Sequence, residues 1–369
     1  MKKKVLFVIH DLGQGGAEKV LVNLVNNMNR DTFDITVLSL FGGGVNEQYL
    51  KPHIHYQTVF KRSIPGNSKL MKTLTPNKLH KLFIKKNYDI EVSYLEGSSA
   101  RIVSGCHNEN TKLVSWIHVE QHAMNVLASS FRNDQEAIDC YNRFDKIICV
   151  SEYVKNDFSS IIDFYKPCEV LYNTVESDKI RSLAYENSLI KIDGRINLIA
   201  VGTLKPSKGY DRLLKIVNRL TDMNYPVRLN ILGIGSYEKQ LKQMVQQLNI
   251  SDNVVFWGYD TNPYKYVADC DLFVCASHSE GFSTAATEAL IVGTPVCTVE
   301  VSGMKEMLGE NNEYGIVTEN SEEALYEGIK KLLNNPELLT HYKKQAEIRG
   351  QYFSTENTVK AVEDMLLNL

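Results

Sequence analysis

Two glutamates eight residues apart, Glu280 and Glu288, stand on either side of Gly281, Phe282, Ser283 and Thr284. An apolar run, Leu272–Ala276, leads into a turn at Gly281, and a helix is expected to begin around Ser283. Free backbone N–H groups and the positive dipole end make such a helix start ready to hold an anion. Glu288 falls four residues after Thr284, on the same helical face, so one acid reaches the site from the turn and the other from the helix. A carboxylate beside a phosphate would repel it, so both acids are better suited to accepting hydrogen bonds from sugar hydroxyls. The plainer alternative is a pair of solvated helix-start residues, a position that acids favour in any case.

Other positions carry compatible chemistry. Lys208, in a loop after Gly202, offers a point charge suited to a phosphate. Gly15 and Gly16 let the backbone come close to a ligand. His118 follows the apolar run Lys112–Ile117, where a strand delivers a side chain to a ligand crevice. Taken singly, these have duller readings: a surface lysine, a tight turn and a satisfied core histidine.

The elements that must position these groups alternate in type. Lys4–Ile9 is a short apolar run fit for burial on both faces of a parallel sheet, and Gly13-Gln14-Gly15-Gly16 breaks it. Ala17–Met28 then places Val20, Leu21, Leu24, Val25 and Met28 at helical spacing. Strands are expected at Phe33–Leu40, Tyr88–Tyr94, Lys112–Ile117 and Lys146–Val150. A polar, weakly patterned stretch over Glu176–Gly194 reads as a connection, after which the rhythm restarts. Strands are expected there at Asn197–Val201, Val227–Leu232, Asn253–Trp257, Leu272–Ala276, Pro295–Val299 and Gly315–Val317, with a helix over Tyr210–Asp222. The pattern predicts two doubly wound α/β domains, 1–182 and 183–350, with a C-terminal helix over 351–369 packing back on the first. Ligands of such sheets bind beyond the C-terminal ends of the strands.

The chain's 369 residues are a comfortable length for two domains, and its 43% hydrophobic and 23% charged residues exclude a disordered or collagen-like polymer. Mean hydropathy is −0.23, against a membrane span. Lys2-Lys3-Lys4 imitates the basic start of a signal peptide, but only Val5–Ile9 is apolar behind it, short of the roughly 7–15 residues a secretory segment needs. The chain is expected to stay in the cytoplasm. Seven cysteines with no C-x-x-C pair argue for free, buried thiols rather than a disulfide framework or zinc site. Lys+Arg against Asp+Glu is 23 to 20 over residues 1–182 and therefore 18 to 24 over the rest, too balanced for a nucleic-acid partner. Residues 61–86 differ, with eight Lys/Arg and no acid. Thr75-Pro76 reads there as an N-cap and first helical residue. Leu79, Leu82 and Phe83 then mark one face and Lys78, Lys81 and Lys85 the other. Such a helix either lies on an anionic membrane surface or presents an ordinary solvated lysine face.

Three motifs mislead. Asp269-Cys270-Asp271 spells a metal-binding D-x-D, yet it spans a helix end and a strand start, and is expected to punctuate a turn. His118-Val119-Glu120-Gln121-His122 lacks the zincin order. Gly233-Ile234-Gly235 has Glu238 where a dinucleotide fingerprint needs its third glycine.

Read in order, the series Gly15-Gly16-Ala17-Glu18-Lys19-Val20, Ser115-Trp116-Ile117-His118, Val150-Ser151-Glu152-Tyr153, Leu171-Tyr172-Asn173, Val201-Gly202-Thr203-Leu204 with Lys208-Gly209, Leu232-Gly233-Ile234-Gly235, Phe256-Trp257-Gly258 and the Glu280–Glu288 pair resembles the family 4 (group 1) retaining glycosyltransferases of the GT-B fold. The resemblance spans nearly the whole chain. It implies transfer of a hexosyl or N-acetylhexosaminyl group from a nucleotide-sugar, a UDP-sugar in this reading, to a glycan or lipid-linked acceptor in cell-surface polysaccharide synthesis. It further implies that Glu280 holds hydroxyls of the transferred sugar, with backbone N–H groups of Gly281, Phe282 and Ser283 near sugar and diphosphate. Glu288 would hold the ribose, Lys208 the diphosphate with help from Gly16, and His118 the sugar near its reacting carbon. Gly258 and Tyr259 would line the base pocket. The family commonly carries Arg beside the glycine matching Gly202, and Thr203 stands here instead, with Lys205 a candidate replacement. No cofactor or metal is implied. A nucleotide-sugar epimerase on the same fold and a non-catalytic sugar-nucleotide-binding subunit are the alternatives.

Overall fold

The computed structural model describes residues 2–13, 15–62, 71–279, 282–301 and 303–369. They form two compact units, Met1–Val175 with Thr355–Leu369, and Glu176–Ser354.

In the first unit β1 (Lys3–Ile9), β2 (Phe33–Phe41), β3 (His55–Phe60), β4 (Ile90–Ser93), β5 (Lys112–Ile117), β6 (Lys146–Cys149) and β7 (Cys168–Val170) form one sheet in the order β3-β2-β1-β4-β5-β6-β7. Every pairing is parallel. Central β1 is buried from Val5 to Ile9, as its unbroken apolar run requires. Two strands are absent from the sequence reading. β3 lies at the sheet edge with His55, Gln57 and Thr58 exposed, so no apolar pattern announces it, and β7 has only three residues. The final helix, Thr355–Leu367, lies against the Gly16–Asn27 helix, and Thr355 Oγ1 donates to the Val175 carbonyl at 2.8 Å.

The second unit holds β8 (Ile196–Val201), β9 (Val227–Leu232), β10 (Val254–Gly258), β11 (Leu272–Cys275), β12 (Val296–Val299) and β13 (Ile316–Thr318) in the order β10-β9-β8-β11-β12-β13, again parallel. Its core joins Leu198, Leu229, Ile231 and Leu272 to the apolar face of the Tyr210–Asp222 helix, where Leu213, Leu214, Val217 and Leu220 recur at helical spacing.

The boundary lies at 175/176 rather than 182/183. The stretch read as a connection contains a helix, Ser177–Ala184, that packs on the Tyr264–Ala268 and Thr284–Ile291 helices, and Asn262 Nδ2 donates to its Leu183 carbonyl at 2.9 Å. The return to the first unit begins at Thr355 rather than 351, because the Pro336–Tyr352 helix packs on the Thr284–Ile291 helix of the second unit. The seven cysteines are free, with Cys168 half-buried and the other six buried. Among the described residues no helix is long and apolar enough to cross a membrane.

Candidate active site

In each sheet the strand order reverses direction at one place, between β1 and β4 in the first unit and between β8 and β11 in the second. The loops leaving two such strands diverge and open a crevice at the strand C-terminal ends. Gly15, Gly16, His118, Gly202, Lys208 and Ser283 lie on or near the segments that follow these strands, while Gly258 and Tyr259 end the edge strand β10.

In the second unit the loop after β8 is folded down onto the end of β11. Gly209 takes φ +64°, and a Cβ on it would stand 2.0 Å from the Ala276 carbonyl oxygen. The His278 N–H donates to the Ser207 carbonyl at 2.8 Å. Half-buried Lys208 is thereby fixed beside the segment that leads from β11 toward Glu288, while Thr203 and Lys205 are exposed. The β9 loop closes on the same place: Gly233, at φ +143°, would bring a Cβ within 2.0 Å of the Gly202 carbonyl oxygen. The first two glycines of the apparent dinucleotide fingerprint serve this loop packing, since a Cβ on Gly235 would likewise meet the Leu204 carbonyl at 2.2 Å.

The helix expected to start around Ser283 runs over Thr284–Ile291, and Ser283 is its N-cap, with Oγ accepting from the Ala286 N–H at 3.3 Å. Phe282, the residue just before the cap, is buried edge-on to Phe353, ring centroids 5.8 Å apart. Glu288 is 8% exposed and its Oε1 accepts from the Tyr264 hydroxyl at 3.2 Å. Gly258, at φ +73°, ends β10 and gives its carbonyl to the Gly233 N–H at 2.7 Å, and Tyr259 beside it is exposed. Glu280 and Gly281 lie outside the described residues.

In the first unit His118 follows β5 and is buried, with Nε2 lacking any hydrogen-bond partner. Burial pushes the imidazole down to about 3, against a hydrogen bond to the Tyr94 backbone. Nε2 is therefore the ring nitrogen open to a ligand. The His118 N–H donates to Glu96 Oε2 at 3.1 Å. Burial raises the Glu96 carboxyl above its usual range, helped by the nearby charge of Glu18. Glu18 is raised in turn, by burial and by Asp11. Asp11 bridges His10 Nδ1 and the Gly13 N–H, each at 2.7 Å. Gly15 is the N-cap of the Gly16–Asn27 helix, and a Cβ on it would strike the Glu18 carboxylate, whereas one on Gly16 would meet nothing within 4 Å.

The sequence-predicted residues therefore form two groups. Gly15, Gly16 and His118 stand in the first unit, and Gly202, Thr203, Lys208, Gly258, Tyr259, Phe282, Ser283, Thr284 and Glu288 in the second. Sequence reasoning missed Asp11 and Glu96, although each lies just past an apolar strand beside the reversal point. It also missed Tyr264 and Arg212, whose guanidinium meets His278 Nδ1 at 2.8 Å and Asn320 Oδ1 at 2.7 Å. Asp271 of the D-x-D sequence accepts from the Asn197 N–H at 2.7 Å and Asp269 from the Ser188 hydroxyl at 2.6 Å, so both acids fasten turns. Glu120 and His122 lie 3.3 Å apart, with Asp157 accepting from the Gln121 and His122 N–H groups.

Residues 14–179 match the family described as Glycosyltransferase Family 4, and residues 184–349 match the one described as Glycosyl transferases group 1. A similar protein from Campylobacter jejuni, 28% identical with 99% of each chain covered, is an N-acetylgalactosamine-N,N'-diacetylbacillosaminyl-diphospho-undecaprenol 4-alpha-N-acetylgalactosaminyltransferase. Among solved structures, Anabaena HepE in complex with UDP and glucose superposes with a TM-score of 0.78 at 19% identity, covering 100% of both chains. A Staphylococcus aureus TarM variant in complex with fondaparinux, alpha-GlcNAc-glycerol and UDP gives 0.72 at 15% identity, covering 98% of this chain and 99% of its own.

Proposed function

Because the chain belongs to the group 1, family 4 glycosyltransferases and carries the GT-B fold, we propose that it moves a hexosyl or N-acetylhexosaminyl group from a UDP-sugar, with retention, onto a lipid-linked or glycan acceptor in cell-surface polysaccharide synthesis. The observation that carries the donor side is the loop bearing Lys208, locked onto the end of β11 ahead of the capped helix start at Ser283. Breaking the sugar–phosphate bond builds negative charge on the departing diphosphate and positive character on the sugar. Lys208 and the N–H groups preceding Thr284, fixed before the reaction, stabilise the former by on the order of 3 kcal/mol per donor. Glu288, already holding the Tyr264 hydroxyl, accepts from the ribose, and Glu280 from hydroxyls of the transferred sugar. Gly258 and Tyr259 line the base pocket.

His118 presents its Nε2 to a sugar hydroxyl, which would satisfy the one ring atom left without a partner. The acid-rich end of β1 and β4, with Asp11, Glu18 and Glu96, suits hydroxyl groups of an acceptor far better than another phosphate. The reaction in this reading is a front-face substitution, with no covalent sugar–enzyme intermediate and no metal ion assigned to it. The C. jejuni relative's undecaprenol-linked acceptor supports a lipid carrier here. A cytoplasmic enzyme meeting such an acceptor would gain from binding the inner membrane face. Exposed Lys78, Lys81, Lys85 and Lys86 around Leu82, itself 51% exposed, offer that contact on and after the Pro76–Phe83 helix. Residues 63–70 of the basic window lie outside the described residues.

The test is a donor panel of UDP-glucose, UDP-GlcNAc and UDP-GalNAc, read by thermal shift and then by UDP release with a polyprenyl-diphosphate-linked sugar as acceptor. One donor should raise Tm and yield an α-linked product. No shift with any donor or with UDP, together with no UDP release, would overturn the reading. Equal sedimentation with neutral and anionic vesicles would remove the membrane contact alone.

A further inference from the structure

At the opposite end of the first sheet from Glu96 and His118, three side chains with metal-binding donors converge. His80 comes from the Pro76–Phe83 helix, Glu91 is the second residue of β4, and Cys106 follows the Ser98–Val103 helix. Their donor atoms all lie within 4.8 Å of one another, and His80 Nε2 stands 2.8 Å from Glu91 Oε2. Glu91 is 1% exposed and Cys106 3%. A carboxylate in the middle of a parallel sheet, between Leu6 of β1 and Leu113 of β5, is costly unless its charge is matched.

We propose that His80, Glu91 and Cys106 bind one borderline-soft divalent transition-metal ion, Zn2+ above all, as a structural clamp between helix and sheet. The donor set selects the ion: imidazole and thiolate suit zinc, whereas magnesium and calcium take oxygen ligands. Tetrahedral zinc with bonds of about 2.0–2.3 Å has ligand-to-ligand edges of about 3.3–3.8 Å, so small side-chain rotations seat the ion. Charge also balances. Binding releases two protons to solvent, one from the Cys106 thiol and one from the imidazolium that His80 forms beside Glu91, and the thiolate and the Glu91 carboxylate then cancel the two positive charges with His80 neutral. One coordination position remains for water. The clamp would fasten the lysine-bearing Pro76–Phe83 helix to β4, and it takes no part in sugar transfer.

Co2+ is the probe, added to the chelator-treated full chain with a phosphine reductant. The expected result is a near-ultraviolet thiolate-to-cobalt absorption that saturates at one equivalent and is displaced by Zn2+. Cys106→Ser should abolish it, while Cys149→Ser, which alters the close Cys149–Cys168 thiol pair elsewhere in the same sheet, should leave it intact. Zn2+ should also raise the Tm of the wild-type chain and not that of His80→Gln, since a ligand held only by the native state stabilises it. No thiolate band, a band that survives Cys106→Ser, or equal Tm shifts in wild type and His80→Gln would overturn the proposal. The three groups would then be a buried His80–Glu91 ion pair with a bystander thiol.

Discussion

Gly209 and Ala276 approach so closely that a single methyl group on Gly209 would stand 2.0 Å from the Ala276 carbonyl oxygen. The contact joins the loop after β8 to the end of β11, and it sets where Lys208 is held. Gly209→Ala adds that methyl at a φ of +64°, a conformation that L side chains rarely adopt. The loop must then lift away. Stability of the second unit should fall by about 1–3 kcal/mol, and UDP affinity should weaken with it. Thermal melts with and without UDP check both effects.

Lys208→Ala removes the charge and leaves the backbone path intact. We expect transfer to fall by about 10²–10³-fold, with an unchanged circular-dichroism melt. Glu280→Ala should likewise abolish transfer with the fold retained, through loss of the sugar hydroxyl contacts. Wild-type turnover in either variant would remove that residue's role.

His118 makes a prediction about pH. Its folded pKa lies at about 3, below the ordinary 6.5, because burial penalises the imidazolium. The unfolded chain therefore binds more protons between those values, so native stability is full above about pH 6.5 and declines as pH falls toward 3. From pH 7.5 to pH 5 this group alone should remove about 2 kcal/mol. Denaturant melts at the two pH values should show that loss in the wild type and a smaller one in His118→Gln.

Arg101 tests the scaffold. It is 1% exposed, donates to Glu136 at 2.9 Å, and reaches the Met71 and Leu74 carbonyls at 2.9 and 2.6 Å. Arg101→Met strands two carbonyls, while Glu136 keeps its other partner, Arg132, at 2.6 Å. A loss of about 2–4 kcal/mol in urea unfolding is expected.

What could be read from sequence follows a physical division. β5, β9 and the Tyr210–Asp222 helix were legible to the residue, because an unbroken or 3.6-periodic apolar pattern is a local property. β3 was not, because at the sheet edge its exposed His55 and Gln57 give no such pattern. The Ser177–Ala184 helix hid in a polar stretch, since few of its side chains are buried against the unit it joins. The site divides similarly. Lys208, Ser283 and Glu288 sit within motifs short enough to read, and the neutral His118 follows an evident strand. Glu96 and Tyr264 matter through partners 22 and 24 residues away, and Arg212 through one 66 residues away. Pairings at that range exist only after folding.

The Thr355–Leu367 helix has a consequence for synthesis. Its seat beside the Gly16–Asn27 helix belongs to residues that leave the ribosome before it, and the helix itself emerges more than three hundred residues later. The contiguous stretch from Glu176 to Ser354 can settle while still tethered. The half that is begun first must wait, with one flank uncovered, until Thr355–Leu367 has followed the second unit off the ribosome.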